Sequence, residues 1–206
     1  MDRVSVMKRK NFPVSSNCYI IGLKGEPECI LVDPALGDDA EFAAFLGSYN
    51  LKPQYIVLTH EHFDHISSVE YLRGKFGSIV IATRICSACI SDAKKNLSLY
   101  YNQAGFVCSP AEIIVDEDND RIIWKDQIIQ FYMTPGHSEG GLCFKIRNNL
   151  FSGDTLMQDF KPVFKLPGGN KSILENSIKR LMDILSDDMV VYPGHGEAFT
   201  RQAINW

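Results

Sequence analysis

Apolar residues in this chain fall into short runs closed by turn residues, and the spacing switches between the period of a strand and that of a helix. Residues 14–23 and 28–33 read as two strands joined by Gly25-Glu26-Pro27. Phe42, Phe45, Leu46 and Tyr49 fall at i, i+3, i+4 and i+7, the stripe of an amphipathic helix, and Pro53 follows its end. Residues 55–59 form a strand. After it, Ile66, Val69, Leu72 and Phe76 recur at helical spacing up to the stop signal Gly77. Ser78 to Ala82 is another strand, and 86–102 is a helical stretch. Four short strands follow at 121–124, 127–133, 142–147 and 149–153, the last two joined by a turn at Arg147-Asn148-Asn149. Ser172 and Glu175 have capping-box spacing ahead of a helix with Leu174, Ile178, Leu181 and Leu185 on one face. Met189 to Tyr192 is a last strand. This order predicts an α/β chain of two halves, each with a sheet inside and helices outside, folded as one domain over residues 1–206.

Composition narrows the function. With 206 residues, 45% of them hydrophobic, the chain can bury a substantial core. A net charge of −4 lacks the basic footprint of a nucleic-acid binder, and a small-molecule substrate is expected instead. The charged stretch Met1–Lys10 has no apolar core of the signal-peptide kind, and no run approaches the roughly 20 apolar residues of a membrane span. The expected address is the cytoplasm. Cys86 and Cys89 make a C-x-x-C, read as free thiols because no second ligand pair is at hand for a structural zinc. The acidic run Asp116–Asp120 reads as a solvated turn.

The chemistry concentrates in Thr59-His60-Glu61-His62-Phe63-Asp64-His65, where three histidines and two carboxylates stand within six positions and no Lys or Arg is present. Neutral imidazole is the commonest side-chain metal ligand. On an extended leader, His60 and His62 point to one side, while Asp64 and His65 at the helix start can turn to a second point close by. One segment can therefore serve two adjacent metal ions. Of the five histidines in the chain, the other two are His137 and His195, and each follows Pro-Gly at the end of a strand-like run. Asp154 has the same context, after Gly153 and an apolar run. A glycine beside a ligand allows close approach of the backbone and a tight turn.

These motifs, in this order, resemble the metallo-β-lactamase superfamily, and within it the small glyoxalase II-like hydrolases. The resemblance runs from Ser16-Asn17-Cys18-Tyr19 and Val32-Asp33-Pro34 to Pro193-Gly194-His195-Gly196. It implies a four-layer αβ/βα sandwich of two mixed sheets flanked by helices. It implies two divalent metal ions, zinc first and iron or manganese as alternatives. His60, His62 and His137 would hold one ion, Asp64, His65 and His195 the other, and Asp154 would bridge them. The implied reaction is hydrolysis of a small thioester or ester by a metal-bridging hydroxide, whose water ionises near pH 7 on zinc. With no histidine left as a separate base, Asp64 is expected to orient the hydroxide as well as bind metal.

The chain departs from that subgroup at three places. Pro162-Val163 stands where Gly-Arg is usual, Ser67-Ser68 replaces a glycine after the Asp-His pair, and the helical domain that helps hold glutathione in full-length relatives is not expected here. Lys165, set in register by Pro167-Gly168-Gly169, is the candidate substrate-binding residue, reading a carboxylate or phosphate as a point charge. The competing readings are a mononuclear iron dioxygenase of the persulfide type, a lactone hydrolase, and a metal-binding scaffold that has lost catalysis. A carboxylate at 154, where some β-lactamases of the family place cysteine, argues against a lactamase.

Overall fold

The computed structural model describes residues 3–159 and 161–204. The first half contains β1 (Val4–Lys10), β2 (Asn17–Leu23), β3 (Glu28–Val32), α1 (Asp39–Ser48), β4 (Lys52–Val57), α2 (Phe63–Ile66), α3 (Val69–Phe76), β5 (Ile79–Ala82), α4 (Arg84–Cys89), α5 (Ser98–Asn102) and β6 (Ile113–Ile114). The second contains β7 (Arg121–Trp124), β8 (Gln127–Met133), β9 (Leu142–Ile146), β10 (Asn149–Gly153), α6 (Lys171–Ile184), β11 (Val190–Pro193) and β12 (Phe199–Thr200). The strands form two six-stranded sheets, ordered β1-β2-β3-β4-β5-β6 and β12-β11-β10-β9-β8-β7. Both are mixed: β3-β4-β5-β6 and β10-β11 run parallel, and the remaining pairs are antiparallel.

The two-residue period of the strands sorts side chains into three apolar layers. Tyr19, Ile21, Ile30, Val32 and Val57 of the first sheet face Phe131, Phe144 and Phe151 of the second, and this cluster lies between the sheets. Their neighbours Cys18, Ile20, Leu31 and Ile56 turn outward and pack under Phe42 and Leu46 of α1 and Val69 and Leu72 of α3. On the far side, Cys143, Leu150 and Val191 pack under Leu181 and Leu185 at α6. The result is the expected helix–sheet–sheet–helix sandwich. No helix among the described residues is long and apolar enough to cross a membrane.

Several elements differ from expectation. β1 lies in the charged N-terminal stretch, where Val4 and Val6 alternate with polar residues and pack against the inter-sheet core. The second strand starts at Asn17 rather than at 14. The helical stretch 86–102 is broken between α4 and α5, because Asp92 and Asn96 bind nearby backbone instead: Asp92 Oδ1 accepts from Lys94 N at 2.8 Å, and Asn96 Nδ2 donates to Phe106 O at 2.8 Å. α6 is capped by Asn170, whose side chain accepts from Ile173 N, and not by Ser172. Within the acidic run, Asp120 Oδ2 accepts from the backbone N–H groups of Asp116 and Glu117, which closes a turn.

Candidate metal centre

Strand ends from both halves converge at one edge of the sandwich. Asp33 follows β3, the His60–His65 segment follows β4, Asp154 follows β10 and His195 follows β11, so these residues sit at the carboxyl ends of parallel strands. The halves are tied together there. Leu142 N donates to Thr59 O at 2.7 Å and Asn17 N to Gly194 O at 2.7 Å. The Tyr19 hydroxyl donates to Pro193 O at 2.6 Å, and Asn17 Nδ2 donates to Pro193 O and Gly196 O.

All seven residues singled out by spacing meet at this edge. Ligand atoms of His60, His62 and His137 lie within 4.8 Å of one another, and so do those of Asp64, His65 and His195. Asp154 reaches both groups. Its Oδ2 is 3.5 Å from His137 Nε2 and 3.4 Å from His195 Nε2, and its Oδ1 is 3.8 Å from His65 Nε2. Gly194 permits this approach, since a Cβ there would overlap Asp154 Oδ1 and press on His65 Cε1.

The chemistry of the donor set fits metal ions. The Thr59 hydroxyl donates to Asp33 Oδ2 at 2.5 Å, which leaves it to accept from His60 Nδ1–H at 3.1 Å. Asp33 Oδ2 also accepts from His65 Nδ1–H at 3.0 Å, and Val163 O accepts from His137 Nδ1–H at 2.7 Å. His60 and His65 therefore turn a bare Nε2 toward the centre, where His137 Nε2 faces His62 Nδ1 at 3.1 Å. His60 Nε2, His62 Nε2, His65 Nε2 and Asp154 Oδ1 are buried polar atoms without a hydrogen-bond partner. His62 meets the group through Nδ1 instead, and the unpartnered Nε2 atoms of His60 and His65 together with Asp154 Oδ1 call for a cation.

Electrostatics agree. Burial, followed by the neighbouring imidazoles, holds His60 well below the usual histidine range, and burial with His137 pushes His62 down to about 3. Both rings are thus neutral at pH 7 and keep their lone pairs. Burial works against the charge of Asp64, but His65 and His195 outweigh it and hold that carboxyl well below the ordinary carboxylate range. Burial likewise works against a charge on His65, yet Asp64, Asp33 and Asp154 raise it to about 10. The carboxylates require positive charge at that point, which either a proton or a metal ion supplies.

A cavity of about 630 Å³ opens above the centre. His62, Asp64, His137, Asp154 and His195 form its floor, and Lys10 and Lys161 reach it from different halves. Lys165 is exposed and is not among the residues lining this cavity. Lys161, four positions earlier in the same loop, lines it. The Pro-Gly-Gly fixes the end of this loop, but the middle is set by the bond from His137 to the Val163 carbonyl, which leaves Lys161 on the cavity side.

In the sequence, Asp33 reads as the end of a strand and as part of the resemblance at Val32-Asp33-Pro34, with no role of its own. In the structure its two oxygens take Thr59 N, the Thr59 hydroxyl and His65 Nδ1, so it orients ligands of both groups. It also lies within 4.8 Å of ligand atoms of His60 and His65. An aspartate held at φ +50° directly after an apolar strand is the signal that marks it. Ser68, one of the two serines replacing the family glycine, braces the backbone: its Oγ accepts from Leu36 N at 2.8 Å, and its N–H donates to Pro34 O. All six cysteines are buried free thiols.

The model of the metallo-beta-lactamase superfamily matches residues 11–195. The probable metallo-hydrolase YqgX of Bacillus subtilis (strain 168) is 28% identical over 186 residues, covering 89% of this chain and 86% of that protein. Among solved structures, BLEG-1, titled a B3 metallo-beta-lactamase, superposes with a TM-score of 0.88 at 27% identity, covering 95% of this chain and 94% of that one. TTHA1623, solved in a di-iron-bound form, gives 0.79 at 26% identity and 94% coverage of each chain.

Proposed function

The chain belongs to the metallo-beta-lactamase superfamily, and from that premise we propose that it is a two-metal hydrolase of a small thioester or ester, with zinc as its native metal. The observation that supports this most is the convergence of five histidines with Asp64 and Asp154, of which His62, Asp64, His137, Asp154 and His195 line one open cavity. His60, His62 and His137 would hold one ion, Asp64, His65 and His195 the other, with Asp154 within reach of both. Bound divalent metals supply Lewis acidity toward a carbonyl oxygen and lower the pKa of water to about 7.

The residues of the chain do the rest. Asp64 stays ionised and faces the cavity, with Oδ2 3.5 Å from His195 Nε2 and 3.6 Å from His65 Nε2, so it can accept a hydrogen bond from the attacking water and orient it. Asp33 and the Val163 carbonyl fix the rings of His65 and His137, which keeps the centre preorganised. Lys10 and Lys161 bring positive charge to the walls.

The test is elemental analysis of the purified protein followed by a panel of small thioesters, esters, lactones, phosphodiesters and β-lactams. Two metal ions per chain with thioester or ester turnover is the expected result. Asp154→Asn should abolish that turnover while the protein remains folded. One iron per chain with oxygen uptake would overturn the reading in favour of dioxygenase chemistry.

A further inference from the structure

The metal-facing residues occupy only the floor of the cavity. Val14, Phe63, Met157, Val163 and Leu166 line it as well. Val163 and Leu166 are 50% and 40% exposed, so large apolar side chains stand in water beside a polar centre. Exposed apolar surface gathered at a concave site marks a place that a ligand covers.

Phe63 is held in this wall at two points. It lies between His62 and Asp64 in sequence, and its ring stacks on Tyr101 with centroids 4.6 Å apart and planes at 21°. Its backbone N–H donates to Asn96 O at 2.8 Å. Asn96 is itself fully buried and bonded to Phe106 O, and Ser98 N donates back to Asn96 Oδ1 at 2.9 Å. The segment from Asn96 to Tyr101 thus grips Phe63 by both ring and backbone. Tyr101, on α5, is 49% exposed, and its ring meets that of Phe63 rather than any metal-facing side chain.

We propose that this wall is an acyl subsite, so that the substrate of the two-metal hydrolase carries an apolar acyl group that packs against Phe63, backed by Tyr101, and under Val163 and Leu166. The inference rests on the hydrolase reading for the identity of the bond cleaved, but the subsite itself can be measured without turnover. Burying one methylene is worth about fourfold in affinity, and the cavity volume of about 630 Å³ is within the range of small-molecule sites.

The experiment is calorimetric titration of the metal-loaded protein with acetate, butyrate, hexanoate and octanoate, the carboxylates that such substrates would release. The dissociation constant should fall by up to about fourfold per methylene along the series. Tyr101→Ala should flatten the dependence on chain length while leaving acetate affinity and metal content unchanged, and Tyr101→Phe, which keeps the ring, should restore it. A flat series in the unmodified protein overturns the acyl subsite. A steep series that Tyr101→Ala does not change overturns the role of the stack. Matched S-acyl thioesters should follow the same order in kcat/KM. Steep binding with no turnover of any thioester or ester would overturn the hydrolase reading and uphold the subsite.

Discussion

A histidine binds metal through one nitrogen and is aimed by the other, so the site depends on which nitrogen each ring commits to the protein. Asp33 makes that choice for His65 directly and for His60 through Thr59. In Asp33→Asn one carboxylate oxygen becomes an NH₂, and it must face either Thr59 N–H or the pair of donors now bound to Oδ2. The expected outcome is a metal affinity lower by roughly 10–100-fold, the usual effect of losing such a partner. It should be greatest at the group of Asp64, His65 and His195. Titration of metal-free protein checks this, and two unchanged binding steps would remove Asp33 from the account. The seven residues that meet at the edge were legible in the sequence because each stands in a short local pattern of imidazole or carboxylate beside glycine or another ligand. Asp33 was not, because its partners lie 26 and 32 positions away. That Lys161 and not Lys165 lines the cavity was not legible, because the direction of a loop side chain is set by tertiary contacts, here the bond between His137 and Val163 O.

Among the elements, the leader between β4 and α2 works on both of its faces. His60 and His62 turn to the metal centre, and Glu61 between them turns away, as extended backbone requires. Its Oε2 accepts from the Ser138 hydroxyl at 3.0 Å, next to His137, and the Thr83 hydroxyl donates to Gly140 O at 3.0 Å in the same turn. Glu61 therefore clamps the turn that carries His137 to the leader that carries His60 and His62. Glu61→Ala should destabilise the metal-free protein by about 1–3 kcal/mol, because it leaves a buried donor without a partner. Glu61→Gln, which keeps an acceptor oxygen, should cost less. Urea denaturation measures both, and a cost for Glu61→Ala no larger than that of an exposed substitution would show that the clamp carries no load. α3 and α6, with a clear helical period, were legible from the sequence, and so was α1 from Phe42, Phe45 and Leu46, although Tyr49 of the same stripe is exposed. β6 and β12 have two residues each, too few to show any period, and they exist through pairing with β5 and β11. The break between α4 and α5 follows from side chains of Asp92 and Asn96 outcompeting the helix for backbone groups, which propensity alone does not reveal.

In the molecule as a whole, the metal centre is also part of what joins the two halves. Their sheets meet across a large apolar cluster, which holds them face to face without any metal. At the site edge, however, His60, His62, Asp64 and His65 come from the first half, and His137, Asp154 and His195 from the second. Asp154 has a buried oxygen without a partner there, and His60 and His65 each have a buried Nε2 without one. An ion shared across the edge satisfies these atoms in the folded state alone, so its binding energy adds to stability by linkage. At a free metal concentration of about 100 times the dissociation constant, one site contributes about 2.7 kcal/mol. In a chain of this length each 1 kcal/mol moves Tm by about 2–4 °C, so stripping one such ion with a chelator should lower Tm by roughly 5–11 °C, and stripping two should lower it further. Melting curves of the protein as purified, after chelation and after zinc is restored would measure the shift. Recovery on adding zinc separates loss of the ion from damage to the fold. A Tm that does not respond to chelator, in protein shown by elemental analysis to have lost its metal, would mean that the apolar interface alone sets the stability of the joined halves.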